Sequence, residues 1–318
     1  MNVIPITDEA WAALAAASPD AGLMQFPGWR SVQGPELQRF GVVDEKGGVL
    51  AGFQLMRSKR SGLTLWSHPP FNQNCGFIAT ARAKNPAKRI GEGKKVHAAI
   101  ASFLNGLPGV VTVAFPPEVL DMQPYIWAGC KVVPSYTYRI DLAPGIAALR
   151  QDYATETRNA IRKAEADGVT VRPATRAEVL PLIQATFDRK GKALDRAKVD
   201  RILQAFLDGG QGYAFLTELN GTPIAGAFCA TDGHRAYYLL GGHVKSGGHA
   251  GAGAMTVDRC IAEAAQRCVP QFDLEGSMIP EIERFFRGFG AQLTPYFTVN
   301  RASFLVETVL KRKWRHQF

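Results

Sequence analysis

The chain has 318 residues, 46% of them hydrophobic and 20% charged, enough for two cores of ordinary size and outside the disordered and low-complexity classes. Against 28 Asp and Glu stand 37 Lys and Arg, and the formal charge of +9 favours anionic partners: a CoA pyrophosphate, a nucleotide-linked sugar, an aminoacyl-tRNA or an anionic lipid head group. No apolar run reaches the roughly 20 residues that cross a bilayer, and Met1 to Ala17 lacks the pattern of a secretory signal, so the expected location is the cytoplasm.

In chain order, Phe40 to Asp44 and Val49 to Phe53 read as strands joined by a Gly47-Gly48 hairpin turn. A helical stretch over Glu92 to Leu104 and an apolar strand over Val110 to Phe115 follow. Tyr136 to Asp141 reads as a strand, and Pro144-Gly145 opens a long helix to Asp167, with Gly168 placed to cap its end. After a short strand at Val169 to Arg172 come helices over Arg176 to Lys190 and Arg196 to Leu207. Three strands follow, Tyr213 to Leu219, Pro223 to Thr231 and Arg235 to Gly241, the first two joined by an Asn220-Gly221 turn. A Gly253 to Cys268 helix, a Phe272 to Leu274 strand, a Pro280 to Arg287 helix and a Tyr296 to Val299 strand complete the pattern, and the basic stretch Lys311 to Arg315 ends a C-terminal helix.

This order occurs twice. Val49-Leu50-Ala51-Gly52-Phe53 parallels Pro223-Ile224-Ala225-Gly226-Ala227, each after a glycine turn. Gly129-Cys130-Lys131-Val132-Val133-Pro134 parallels Gly290-Ala291-Gln292-Leu293-Thr294-Pro295, and between the anchors each half has a helix and then a short apolar strand. Two anchors in one order indicate duplication, with units expected at 1–135 and 136–318. Cys75, Cys130, Cys229, Cys260 and Cys268 form no C-x-x-C pair, so no disulfide framework and no metal site is expected.

Four segments resemble the FemAB/FemX-like (BioF2-like) branch of the GNAT superfamily. They are Pro69-Pro70-Phe71-Asn72-Gln73-Asn74-Cys75-Gly76, the basic helix Thr157 to Ala164, Tyr237 to Gly242, and Phe272 to Ser277 with Phe285 to Gly290. The resemblance implies a mixed α/β (α+β) sheet fold of two tandem GNAT-like acyl-CoA N-acyltransferase units. It implies transfer of an acyl or aminoacyl group onto an amine of a cell-envelope or saccharide-type precursor. No tightly bound cofactor is implied; acyl-CoA or aminoacyl-tRNA is the donor substrate, and tRNA a candidate partner. Arg287 stands where tRNA-dependent members commonly have lysine, and no coiled-coil arm interrupts the second unit. One alternative is a CoA-dependent N-acetyltransferase of a small amine; another is a non-catalytic module binding RNA or an anionic polymer.

Ligands of mixed sheets sit where neighbouring strands part, which points to Leu240–His243 and Asp273–Ser277. Of Asp273 and Glu275, only the second is expected to line that site, as a general base that deprotonates the attacking amine. His243 is the alternative base, and Arg287 an anion-holding group at the catalytic centre. Arg158, Arg162 and Lys163, clustered on one helix, are candidate grips for a substrate phosphate or carboxylate, with Tyr238, Ser277 and Phe286 as further substrate contacts. Gly248, Gly251 and Gly253 precede a helix and could aim N–H groups at a pyrophosphate, although the Gln or Arg that leads the usual Q/R-x-x-G-x-G/A loop is missing.

Overall fold

The computed structural model describes residues 1–18, 21–60, 62–80, 83–189, 191, 193–244, 247–276 and 278–313. They divide into two compact units, Met1–Ser135 with Pro295–Phe318, and Tyr136–Thr294. The first contains β1 (Asn2–Pro5), α1 (Asp8–Ala16), α2 (Trp29–Gln33), β2 (Leu37–Val43), β3 (Val49–Arg60), β4 (Leu63–Ser67), β5 (Ile78–Ala79), α3 (Pro86–Gly106), β6 (Val110–Ala114), α4 (Gln123–Trp127) and the start of β7 (Lys131–Asp141). The second holds the rest of β7, α5 (Ile146–Asp152), α6 (Thr155–Ala166), β8 (Thr170–Pro173), α7 (Arg176–Arg189), α8 (Arg196–Leu203), β9 (Gly212–Leu219) and β10 (Thr222–Thr231). It continues through β11 (Arg235–His243), α9 (Ala252–Gln266), β12 (Gln271–Asp273), α10 (Pro280–Arg287) and the start of β13 (Gln292–Arg301), and α11 (Phe304–Lys313) ends the described chain.

In the first unit β1, β2, β3 and β4 form an antiparallel meander. β6 then runs parallel to β4, pairing Leu65 with Val110 through Ser67 with Thr112. In the second, β9, β10 and β11 form the meander and β12 runs parallel to β11, pairing Arg235 with Gln271 through Tyr237 with Asp273. A helix, α3 or α9, links the parallel strands in each case, as the handedness of crossover connections requires. The expected mixed α/β architecture and its internal duplication are therefore present.

The division differs from the expected second unit of 136–318. Thr298 to Arg301 of β13 pair antiparallel with β6, so the chain after Thr294 packs with the first unit. β12 in turn takes Arg139 to Asp141 of β7 as its antiparallel neighbour.

The repeated glycines have a common physical cause. A Cβ on Gly52 would lie 2.5 Å from Leu14 Cδ2, and one on Gly226 would lie 2.9 Å from Leu182 Cδ1. Both glycines let a helix side chain sit on the meander's middle strand. Gly129 and Gly290 both turn the chain out of a helix at positive φ, 80° and 69°, a conformation that costs glycine little.

Hydrophobic clusters result in both units. Phe40, Phe53, Leu55, Ile100, Leu104, Val111, Val113, Phe115 and Val299 pack the first unit, and Tyr138, Ile140, Tyr213, Phe215, Val257, Ile261, Phe272, Phe286 and Phe289 pack one face of the second. Each large side chain removed from water contributes about 1.5–3 kcal/mol.

The single helix expected from Pro144 to Asp167 is two, α5 and α6. The break is tertiary in origin: Ala154 N–H donates to Gly288 O at 2.9 Å, and Arg158 Nη1 donates to the carbonyls of Gln151 and Tyr153 at 2.6 and 2.5 Å. A helix must release such groups at its ends, and these contacts fix where it does so.

Candidate active site

The pairing of β11 with β12 stops at Tyr237 and Asp273, while β11 continues to His243. The chain leaves β12 through two successive left-handed residues, Glu275 at φ 63° and Gly276 at φ 63°. A Cβ on Gly276 would stand 2.1 Å from Tyr136 O, so only glycine lets the turn close against β7. The strands thus part, with Glu275 near Asp273, Arg139 and Arg235, whereas Tyr238 packs on the α9 side with Cys229, Cys260 and Phe286. Tyr238 sits edge-to-face with Phe286, ring centroids 5.9 Å apart, and its hydroxyl overlies Gly241, where a Cβ would lie 1.8 Å away. Opposite Tyr238, the β10 ladder shifts register between Phe228 and Cys229.

Asp273 is fully buried and its carboxylate is spent. It accepts from Thr137 Oγ1 at 2.5 Å, from Arg139 Nε at 2.9 Å and from Glu275 N–H at 2.8 Å. Asp273 and Glu275 are close together, joined by the hydrogen bond from Glu275 N–H. Glu275 Oε1 is buried with no hydrogen-bond partner among the described residues. Burial first, and the Asp273 charge second, push its carboxyl well above the usual carboxylate range, against the pull of Arg139 and Arg235. An unpaired buried acceptor costs about 1–3 kcal/mol, and left-handed backbone at a residue other than glycine costs about 1–2 kcal/mol more. Two penalties at one residue beside a strand opening make Glu275 the candidate functional position.

Of the other candidates, the structure brings Tyr238 and Phe286 together, and Arg287 reaches Glu283, Nε to Oε1 at 3.0 Å. Glu283 also accepts from Tyr138 Oη at 2.5 Å, which with burial pushes the Tyr138 phenol up to about 12. Arg158 donates to backbone carbonyls as described above. Arg162 donates to Asn159 Oδ1 at 3.0 Å and Lys163 pairs with Asp167 at 2.8 Å, both exposed on α6. His243 is exposed at the end of β11; its N–H donates to Thr186 Oγ1 and its carbonyl accepts from Arg189. Ser277 lies outside the described residues.

Gly251 meets α6, where a Cβ would stand 2.2 Å from Ala160 O, and Gly253 lies beside Phe285. A Cβ on Gly248 would stand 2.8 Å from Val244 O. His249, which sequence reasoning passed over, ties this loop down: Nδ1 accepts Gly251 N–H at 3.0 Å and Nε2 lies 2.9 Å from Asp167 Oδ2. Nδ1 as acceptor leaves the proton on Nε2, facing the carboxylate. No local signal announces this contact, whose partners are 82 positions apart.

The duplication supplies an internal control. By strand register, His68 stands where the second unit has Tyr238, and Ala114 where it has Glu275. There the pairing ends at the same point, Ser67 with Thr112, but the space is filled. Ala114 N–H donates to His68 Nδ1 at 3.3 Å, Cys75 N–H donates to Ala114 O at 2.8 Å, and Gln54 N–H donates to Cys75 O at 2.8 Å. Burial holds the His68 imidazole neutral, its pKa lowered to about 4. The Pro69–Gly76 segment therefore fills the first unit's equivalent of the opening.

Residues 151–287, which include β11, α9 and Glu275, match the family described as an acetyltransferase (GNAT) domain. No curated protein matches the chain by sequence. Among solved structures, FemX is similar at 14% identity over 99% of this chain and 100% of its own, with a TM-score of 0.62. L-PGS from Bacillus licheniformis is similar at 12% identity over 96% of both chains, TM-score 0.55. A tandem GNAT protein from the clavulanic acid biosynthesis pathway is similar at 12% identity, over 94% of this chain and 97% of its own, TM-score 0.51. At these identities the likenesses are likenesses of fold. Residues 151–287 accordingly match the acetyltransferase (GNAT) domain family, and the chain as a whole shares its fold with FemX and with a tandem GNAT protein.

Proposed function

We propose that the second unit is an acyltransferase that moves an acyl or aminoacyl group from an activated donor to an amine, with Glu275 as proton acceptor. The observation that carries this reading is the partly desolvated Glu275 carboxyl, its Oε1 unpartnered among the described residues, at the parting of β11 and β12. As the amine nitrogen attacks the donor carbonyl, the C–N bond forms and an N–H proton passes to Glu275 Oε1. Burial raises the basicity of this carboxylate, which favours its taking the proton. The bond from the carbonyl carbon to the donor's sulfur or oxygen then breaks. The leaving group departs with the proton that Glu275 has taken up, which returns Glu275 to its starting state.

FemX and L-PGS as neighbours support an amine of a cell-envelope precursor as acceptor, and the GNAT match supports an acyl-CoA donor. The exposed Arg162 and Lys163 are the cations left to meet an anionic substrate on α6. Donor binding is tested by thermal shift, since a ligand that binds only the folded state raises stability by about 2.7 kcal/mol at 100 times its Kd. A shift with acetyl-CoA assigns a CoA donor, and a salt-sensitive complex with charged tRNA assigns an aminoacyl donor. Unchanged turnover in Glu275→Gln refutes the assignment of the base.

A further inference from the structure

The first unit carries a surface that acyl transfer does not use. α4 and the turn before it expose Trp127, Leu120 and Ile126 at 69%, 67% and 56%, and α3 exposes Ile90 at 56%. Large apolar side chains at such exposure are ordinary singly, but a cluster marks an interaction site. These belong together. Lys94 Nζ lies 4.9 Å from the Trp127 ring centroid and 2.6 Å from Asp121 Oδ2, joining α3 to α4, and it also contacts Gln123. Ile90 is one turn before Lys94 on the same face of α3. The same stretch exposes Lys84, Lys88, Arg89 and Lys95. Its acids are Glu92, Glu118 and Asp121, the last already taken by Lys94.

We propose that this face docks the protein on an anionic phospholipid bilayer, with Trp127, Ile126, Leu120 and Ile90 entering the head-group region and the α3 cations meeting lipid phosphates. An apolar cluster rimmed by cations is the chemistry that a membrane interface selects, and an indole beside a lysine suits its boundary. Long basic side chains can lay their stems on the apolar zone while their heads stay in water. A single-stranded RNA partner fits less well. It would need bare ring faces for stacking, whereas Lys94 covers the Trp127 ring and the other three side chains are aliphatic. The proposal does not depend on the acyl-transfer reading.

The test is co-sedimentation of the full chain with phosphatidylcholine vesicles, with and without phosphatidylglycerol, across a salt series. The expected result is binding to the anionic vesicles that weakens with salt. Lys88→Gln/Arg89→Gln/Lys95→Gln should weaken it by roughly a hundredfold, since each cation near such a surface is worth about fivefold. Ile126→Gln/Trp127→Gln should weaken it at every salt concentration, and both variants should keep the wild-type melting temperature. Absence of binding at low salt overturns the proposal, as does binding indifferent to both sets of changes. So does a basic-cluster variant that loses bulk tRNA while the wild type ignores vesicles. A concentration-dependent dimer abolished by Ile126→Gln/Trp127→Gln, with no vesicle binding, overturns it in favour of a second copy of the chain.

Discussion

Replacing Asp273 with asparagine tests both the stability and the chemistry assigned to the strand opening. The fully buried Asp273 carboxylate takes three donors, from Thr137, Arg139 and the Glu275 main chain. Asparagine keeps one acceptor oxygen but turns an amide N–H₂ towards the Arg139 guanidinium, whose side chain is only 13% exposed. Breaking a buried ion pair on one side costs about 3–5 kcal/mol, because the remaining charge is stranded. The slight exposure of Arg139 places the expected loss at the lower end, about 3 kcal/mol. For a unit of this size each kcal/mol moves the melting temperature by about 2–4 °C, so the second unit should melt about 6–12 °C lower. Urea unfolding measures the same loss as a shift of midpoint at constant slope. The double variant Asp273→Asn/Arg139→Gln should recover much of it, since no charge is then stranded. In residual activity, removing the Asp273 charge takes away the second cause of the raised Glu275 pKa, so the rise of turnover with pH should move to lower pH. A melting change under about 2 °C, or a double variant as unstable as the single one, would refute the ion-pair account.

Three further outcomes follow from the same geometry. Glu275→Gln should lower kcat by about 10²–10⁴-fold in a donor-consumption assay, the usual contribution of a positioned base. Because the folded-state pKa of Glu275 is raised, its burial destabilises the protein increasingly as pH rises above the unfolded value; Glu275→Gln should therefore melt above wild type at alkaline pH, the gap closing on acidification. Gly241→Ala, whose Cβ would fall 1.8 Å from the Tyr238 hydroxyl, should displace that group and lower the melting temperature more than Tyr238→Phe does. In the first unit the His68 pKa falls from 6.5 to about 4, so acidification from pH 7 to pH 4 should cost about 3 kcal/mol, and His68→Gln should flatten that loss in a melting series.

The meander–helix–strand order was legible because its markers are backbone requirements. Gly52 and Gly226 must admit a helix side chain, Gly129 and Gly290 must turn left-handed, and such needs leave the same residue in both copies. Glu275 was legible for a weaker reason, its place beside Gly276 at the end of a short strand. Its electrostatic setting was not, because Thr137 and Arg139 lie 136 and 134 positions before Asp273. The basic run on α6 shows the opposite difficulty: composition cannot distinguish a guanidinium aimed at an anion from one closing a helix junction, and Arg158 does the latter. The break between α5 and α6 was hidden because Tyr153 and Ala154 contain no glycine or proline; a carbonyl from Gly288 makes it. The filling of the first unit's opening was hidden too, since Pro69–Gly76 reads as an ordinary loop until its hydrogen bonds to Ala114 and Gln54 are seen.

The return of β13 to β6 bears on how the protein comes into being. Ribosomes deliver the chain from its N-terminal side, yet the strand that borders β6 emerges only after the whole second unit. Until then Val110–Ala114 presents an uncovered hydrogen-bonding edge, the kind of surface through which nascent chains find wrong partners. Maturation of the first unit is thereby deferred until the second has been made, and a chain stopped anywhere before Thr298 leaves the earlier unit lacking its bordering strand.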